Sequence, residues 1–307
     1  MRPSGSGRGI VLILLMAACF AVSDTTIKYL GAFLPVLLLL WSRYAFQALA
    51  MALWLAWRAG GRGFRSDHPR FQCVRGGLLL ATSAIAFYGL QHMPVAEFTA
   101  LGMLTPVVVT LLAAAFLHEK VSAARWALVW GGFAGALIVI RPGAGLFGWE
   151  ATFPLLLALC YGAFQVLTSK LAALEAPMTT HFYTGFIGAA ALTPLLLLDA
   201  GALFAALQRA PAAQIAGMLL IGAMGTVGHL CLILAFGRAP AATLMPFTYS
   251  QIAFALAASW VVFRHVPDAW AWLGMAVITA CGAASAWLNV RRSQRPDSAV
   301  GADTIAD

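Results

Sequence analysis

Residues 10–57 read IVLILLMAACFAVSDTTIKYLGAFLPVLLLLWSRYAFQALAMALWLAW, two apolar runs separated by a turn-like Gly31-Ala32-Phe33-Leu34-Pro35. Only Asp24, Lys28 and Arg43 carry charge within them. Wound as a helix at about 1.5 Å per residue, either run crosses the ~30 Å hydrocarbon core of a bilayer. A competing reading exists: Arg2 and Arg8, then an apolar run ending Leu15-Met16-Ala17-Ala18-Cys19, look like a secretion signal with a lipoprotein-type cleavage site. A signal peptide, however, precedes a soluble mature domain. Here a second apolar run follows at once, so both are read as membrane helices forming a hairpin.

The rest of the chain repeats the pattern. Of its 307 residues 62% are hydrophobic and 10% charged, far from the balance of a soluble domain. A soluble core of this size could not hide so much apolar surface. Ten runs are long enough to span: 10–30, 34–57, 74–91, 95–117, 125–140, 151–170, 181–198, 213–236, 241–263 and 269–290. Runs of this length satisfy every backbone group in lipid only as helices, so the fold is expected to be all-α and integral to the membrane.

The formal charge of +8 raises the question of nucleic acid, and position answers it. With the N-terminus inside, Arg2, Arg8, Arg58, Arg62, Arg65, Arg70, Arg75, Lys120, Arg125, Lys170, Arg238, Arg291, Arg292 and Arg295 fall on the cytoplasmic side. Only Arg141, Arg209 and Arg264 fall outside. This bias predicts both termini in the cytoplasm and an inner-membrane location. The basic loop from Arg58 to Arg65 then needs no RNA to explain it.

Five spans per half is an odd number, so a duplicated half would be inverted in the membrane, an architecture of secondary transporters. The expected division is a cytoplasmic N-terminus (1–9), a first five-helix repeat (10–141), a second (151–290) and a disordered cytoplasmic tail (291–307). Cys19 and Cys160 sit alike in the first and sixth spans, with Lys28 and Lys170 at similar offsets. Pro94 and Pro240 each open a span, and Trp126 and Trp272 follow the next short loop; that register sets Glu119 opposite His265.

With its ten short-looped spans and five-plus-five pattern, the chain resembles the drug/metabolite transporter superfamily in its EamA-type branch over residues 10–290. The stretch from Pro94 to Pro142, with Thr105-Pro106, His118-Glu119-Lys120 and Gly131-Gly132, carries the likeness, although His265 replaces an acidic residue in the second half. The first hairpin, Ser23 to Gly31 followed by Arg43-Tyr44, is similar to that of S-adenosylmethionine-uptake members. The resemblance implies a central cavity between the halves, alternating access and small polar cargo.

Ionisable groups inside a span are costly and therefore candidates for function. Asp24 and Lys28 are one helical turn apart on one face. Arg43 lies about 13 Å along its helix from the hairpin turn, at a depth similar to Asp24. A carboxylate shared by two cations would leave one positive charge to attract an anionic group on the cargo. The structural alternative is an ion cluster locking the hairpin, with Lys28 snorkelling to the outer surface.

Proline-interrupted spans near Pro106 and Pro246 make Tyr249 and Gln251 further substrate-binding candidates, whereas Thr105, Thr110 and Thr248 are read as bonding their own helices. Tyr161 and Gln165 join the candidates by their match to the first span. His229 and Asp24 could couple a proton, and His229 could equally be a satisfied core histidine. Glu97 suits a helix N-terminus. Gly222, Gly225 and Gly228 recur every third residue without a phosphate-loop lysine, which suggests close helix packing.

Cys19, Cys73, Cys160, Cys231 and Cys281 show no metal-ligand or redox spacing. The sequence thus predicts a carrier without metal or cofactor, with a small-molecule substrate and the bilayer as partners, and with homodimerisation open. A polytopic enzyme acting on a lipid-embedded substrate is the alternative. It would need a nucleophile, metal set or acid/base pair at a membrane face, and no HExxH, GxSxG or clustered Asp/His is present.

Overall fold

A computed structural model of the chain describes residues 3–58, 63–105, 107–108, 123–141, 148–171, 174–238, 244 and 247–293. Among them are eleven α-helices: α1 (Pro3–Leu30), α2 (Val36–Arg58), α3 (Pro69–His92), α4 (Val95–Gly102), α5 (Ala123–Ile140), α6 (Thr152–Leu171), α7 (Pro177–Leu198), α8 (Ala200–Arg209), α9 (Ala212–Phe236), α10 (Ser250–Phe263) and α11 (Ala269–Ser293). No strand occurs among the described residues. Six helical segments are long and apolar enough to cross a membrane: Gly7–Leu30, Val36–Arg58, Pro69–His92, Gly148–Thr168, Pro177–Leu198 and Ala212–Phe236. Shorter apolar helices cover Trp126–Ile140, Ser250–Phe263 and Ala269–Ala284.

Two boundaries differ from the sequence expectation. α1 begins at Pro3, ahead of the span expected from residue 10, and α11 continues to Ser293, past the expected end at 290. Pro106, Thr110, His118, Glu119, Lys120, Pro240 and Pro246 lie outside the described residues, as does the side chain of Lys170. Helix starts follow local chemistry. Prolines open α3 and α7, where the missing N–H costs nothing. The Asp268 carboxylate accepts the Ala271 N–H at 2.8 Å to cap α11.

Large apolar side chains face outward: Trp57 is 77% and Leu198 84% exposed. Arg43, Gln47, Gln72, Arg75 and His181 are buried instead. Apolar outside and polar inside suits lipid as solvent.

α1 packs on α9 and α10, α3 on α6 and α7, α2 on α7 and α9, and α5 on α11. Specific contacts fix the directions. Lys28 near the end of α1 reaches Leu90 and Met93 at the end of α3. Arg75 near the start of α3 meets Thr168 near the end of α6. Arg141 after α5 pairs with Asp268 before α11. His265 after α10 meets Glu97 at the start of α4. Glycine allows the closest approach: a Cβ on Gly135 of α5 would lie 3.0 Å from the Gly274 carbonyl of α11.

Candidate substrate site

A central cavity lies where α1, α2, α3, α4, α6, α9 and α10 converge. It encloses about 710 Å³ of space between atoms, its open mouth included. Three phenylalanines, Phe20, Phe87 and Phe98, give it an apolar wall. Asp24, Arg43, Ser83, Tyr161, His229 and Gln251 supply the main polar groups.

Arg43 is held by a short network. Its Nη1 donates to Ser83 Oγ at 3.0 Å, and the Tyr44 hydroxyl donates to the same oxygen at 2.8 Å. The Arg43 guanidinium also lies 4.9 Å from the Tyr44 ring centre. Two donors thus fill the acceptor positions of Ser83, whose side chain lines the cavity. Thr99 adds a buried Oγ1 with no partner among the described residues. His229 packs its ring on Phe20 at 4.8 Å and on Phe164 at 6.0 Å.

The family comparison matches this architecture twice. The model of the EamA-like transporter family matches residues 7–141 and again 148–284. The chain belongs to that family. It is 30% identical over 302 residues to a riboflavin transporter of Rhizobium johnstonii, covering 96% of each chain. A riboflavin transporter of Brucella anthropi is 30% identical over 272 residues, covering 86% of this chain and 94% of the relative. An S-adenosylmethionine uptake transporter of Rickettsia bellii is 24% identical over 269 residues, covering 85% and 87%. A solved crystal structure superposes with a TM-score of 0.64 at 19% identity, covering 96% of this chain and 100% of that one. At that identity the likeness is one of fold. This EamA-like protein is accordingly a transporter of a small metabolite and not an enzyme.

Of the residues singled out in the sequence, Asp24, Arg43, Tyr161, His229 and Gln251 meet in the cavity of this EamA-like bundle. Gln165 stands one turn from Tyr161, against its hydroxyl, and does not line the cavity. Tyr249 is placed elsewhere. Its ring fills the space that a side chain at Gly282 would take, and its hydroxyl donates to the Met103 carbonyl at 3.3 Å. It tethers α10 to α4 and α11. Thr105, just beyond α4, donates back to the Gly102 carbonyl at the end of that helix.

The shared-carboxylate arrangement in the first hairpin is corrected. Lys28 does not pair with Asp24: its Nζ donates to the Leu90 and Met93 carbonyls at 2.8 and 3.0 Å. The end of α3 offers unsatisfied carbonyls that attract a cation more readily than the outer surface does. Arg43 is aimed at Ser83, and no ion pair within 4.0 Å involves Asp24 among the described residues. Glu97 does more than favour a helix start, since its Oε1 accepts from His265 Nε2 at 2.9 Å and links the two matched segments.

Sequence reasoning passed over Ser83, Thr99 and the phenylalanines. A small hydroxyl in an apolar run has no charge to mark it. Phenylalanine in a membrane helix is as often lipid-facing as cavity-facing.

Proposed function

We propose that this transporter is a ten-span, alternating-access carrier in the inner membrane, built of two inverted five-helix halves near 10–141 and 151–290, with both termini cytoplasmic. The alternating helix directions support this reading, because α1 and α6 open the two matched segments from opposite ends of the bundle. The packing partners support it too: α1 on α9 mirrors α3 on α6, while α2 on α7 and α5 on α11 pair with their own counterparts. The cytoplasmic placement rests on the distribution of arginine.

For cargo we infer a riboflavin-type flavin. The observation that carries this is the meeting of donors, an acceptor and aromatic rings in one cavity, in a chain 30% identical to riboflavin transporters. The imide edge of an isoalloxazine offers carbonyl, N–H and carbonyl in a row. Arg43 and Ser83 supply donors for the carbonyls, and the Asp24 carboxylate accepts the N–H. Phe20, Phe87 and Phe98 give the flat ring system apolar contact, and Thr99 and Gln251 suit a polyol tail.

S-adenosylmethionine is the second reading, favoured by an Asp24 carboxylate that lines the cavity and makes no ion pair within 4.0 Å among the described residues. Uptake of radiolabelled riboflavin and S-adenosylmethionine into proteoliposomes, with and without a proton gradient, decides between them. Saturable riboflavin flux that Arg43→Ala abolishes is the expected result. Flux of neither compound refutes the cargo reading.

A further inference from the structure

Beyond the cavity, toward the end of the bundle where α1 begins and α11 ends, lies a second polar layer. Arg75 of α3 is 1% exposed and has no carboxylate within ion-pair distance among the described residues. Its Nε donates to Thr168 Oγ1 of α6 at 2.9 Å, and its Nη1 donates to the Thr180 carbonyl of α7 at 3.4 Å and to the Thr184 hydroxyl. Along the same layer, Gln47 Nε2 of α2 donates to His181 Nδ1 of α7 at 3.2 Å, and His181 Nε2 donates to the Thr226 carbonyl of α9 at 3.1 Å.

This layer is poorly satisfied for something so deeply buried. Gln47 Oε1, Gln72 Oε1 and Thr226 Oγ1 are all buried with no hydrogen-bond partner among the described residues. A seam built only to lock helices together would pair its guanidinium with a carboxylate and leave no orphaned acceptors, since each is costly. At the other end of the bundle Leu30, Leu34, Leu38 and Leu39 are buried, with Gly217 of α9 against Leu30, and the buried Glu97 is partnered by His265, although its Oε2 and Ser259 Oγ have no partner among the described residues.

Phe164 touches both the layer and the cavity wall. Phe164 is fully buried, with the Arg75 guanidinium 4.6 Å from its centre on one side. Tyr161 and His229, which line the cavity, lie 5.6 and 6.0 Å from it.

We propose that this seam is the closed half of the cargo path and that Arg75 is a second cargo-binding cation. It takes acceptor oxygens of the cargo, carbonyl or anionic, once Phe164 has moved aside. Groups that are orphaned in the closed state are then hydrated or bonded to cargo in the open one. The inference rests on the carrier reading above but not on the identity of the cargo.

Thiol labelling tests the path. In a cysteine-free background, Thr226→Cys is expected to react with a membrane-impermeant methanethiosulfonate only from the face where α1 begins, and saturating riboflavin is expected to slow the reaction. No reaction from that face while transport continues overturns the proposal. If the protein fails to move riboflavin, labelling without cargo still reports the path, so the two readings fail separately. Transport kinetics test Arg75. Arg75→Gln is expected to raise KM for riboflavin roughly tenfold, one charge-assisted hydrogen bond's worth, with Arg75→Lys restoring part of it. An unchanged KM in Arg75→Gln, with only the transport rate or the melting temperature lowered, makes Arg75 a structural lock and refutes the second station.

Discussion

Gly225 of α9 sits directly against Arg43 of α2: a Cβ built on Gly225 would lie 2.8 Å from Arg43 Nε. The neighbouring glycines of the stripe serve other side chains, Gly222 facing Phe46 and Gly228 facing Phe20. The repeat of small residues is therefore a mould for the first hairpin. Gly225→Val should push the guanidinium off Ser83 and cut transport at least about tenfold, the equivalent of ~1.4 kcal/mol. Flux measured against the amount of inserted protein checks this. Normal flux would mean that Arg43 needs no fixed position.

Ser83→Ala removes the oxygen that accepts from both Arg43 and Tyr44. Leaving two buried donors unpaired costs about 1–3 kcal/mol for each group. The expected result is weaker cargo binding together with a lower melting temperature. Ser83→Thr keeps the hydroxyl and should recover most of the loss. A Thr variant as impaired as the Ala variant would argue against the network.

Lys28 and Asp24 are one turn apart yet should behave oppositely. Lys28→Met uncaps the Leu90 and Met93 carbonyls and should cost about 1–3 kcal/mol of stability while cargo affinity holds. Asp24→Asn keeps the shape of a cavity-lining side chain. It should leave the melting temperature nearly unchanged and weaken binding. Thermal unfolding paired with uptake kinetics separates the two, and the same profile for both variants would contradict the placement of Lys28.

The Glu175 carboxylate joins the chain between α6 and α7 to the chain before α3. Its Oε1 accepts from the Ser66 hydroxyl at 2.6 Å and the His68 N–H at 2.8 Å. Burial pushes its carboxyl up, but the hydrogen bonds from Ser66 and from the His68 backbone and ring outweigh this and hold it below its ordinary value of 4.5. A carboxyl lowered by folding stabilises the fold above its ordinary value, and that contribution is lost as pH falls through the folded one. Melting temperature should therefore fall on acidification below about pH 5, and less steeply in Glu175→Gln. Equal slopes in the two proteins would exclude Glu175 from the acid response.

The membrane class, the helical content and five of the polar residues that line the cavity could be read from the sequence. The physical reason is that lipid makes polarity conspicuous. In a chain this apolar, Asp24 and Arg43 stand out because leaving them in a span without purpose is expensive. Packing geometry has no such marker. Nothing local to Tyr249 says that its ring lies against Gly282, or that its hydroxyl finds a carbonyl of another helix. The direction in which Lys28 reaches likewise depends on where α3 ends.

By itself, then, the sequence determined the solvent of this protein, its helices and the residues too polar to be idle, because hydropathy and charge are properties of each residue. Tertiary structure alone decided which polar groups meet. Ser83 was brought to Arg43, Lys28 was taken away from Asp24, and Arg75 was set behind Phe164 without a carboxylate. Those pairings depend on the contact of helices far apart in the chain, and no local pattern records them.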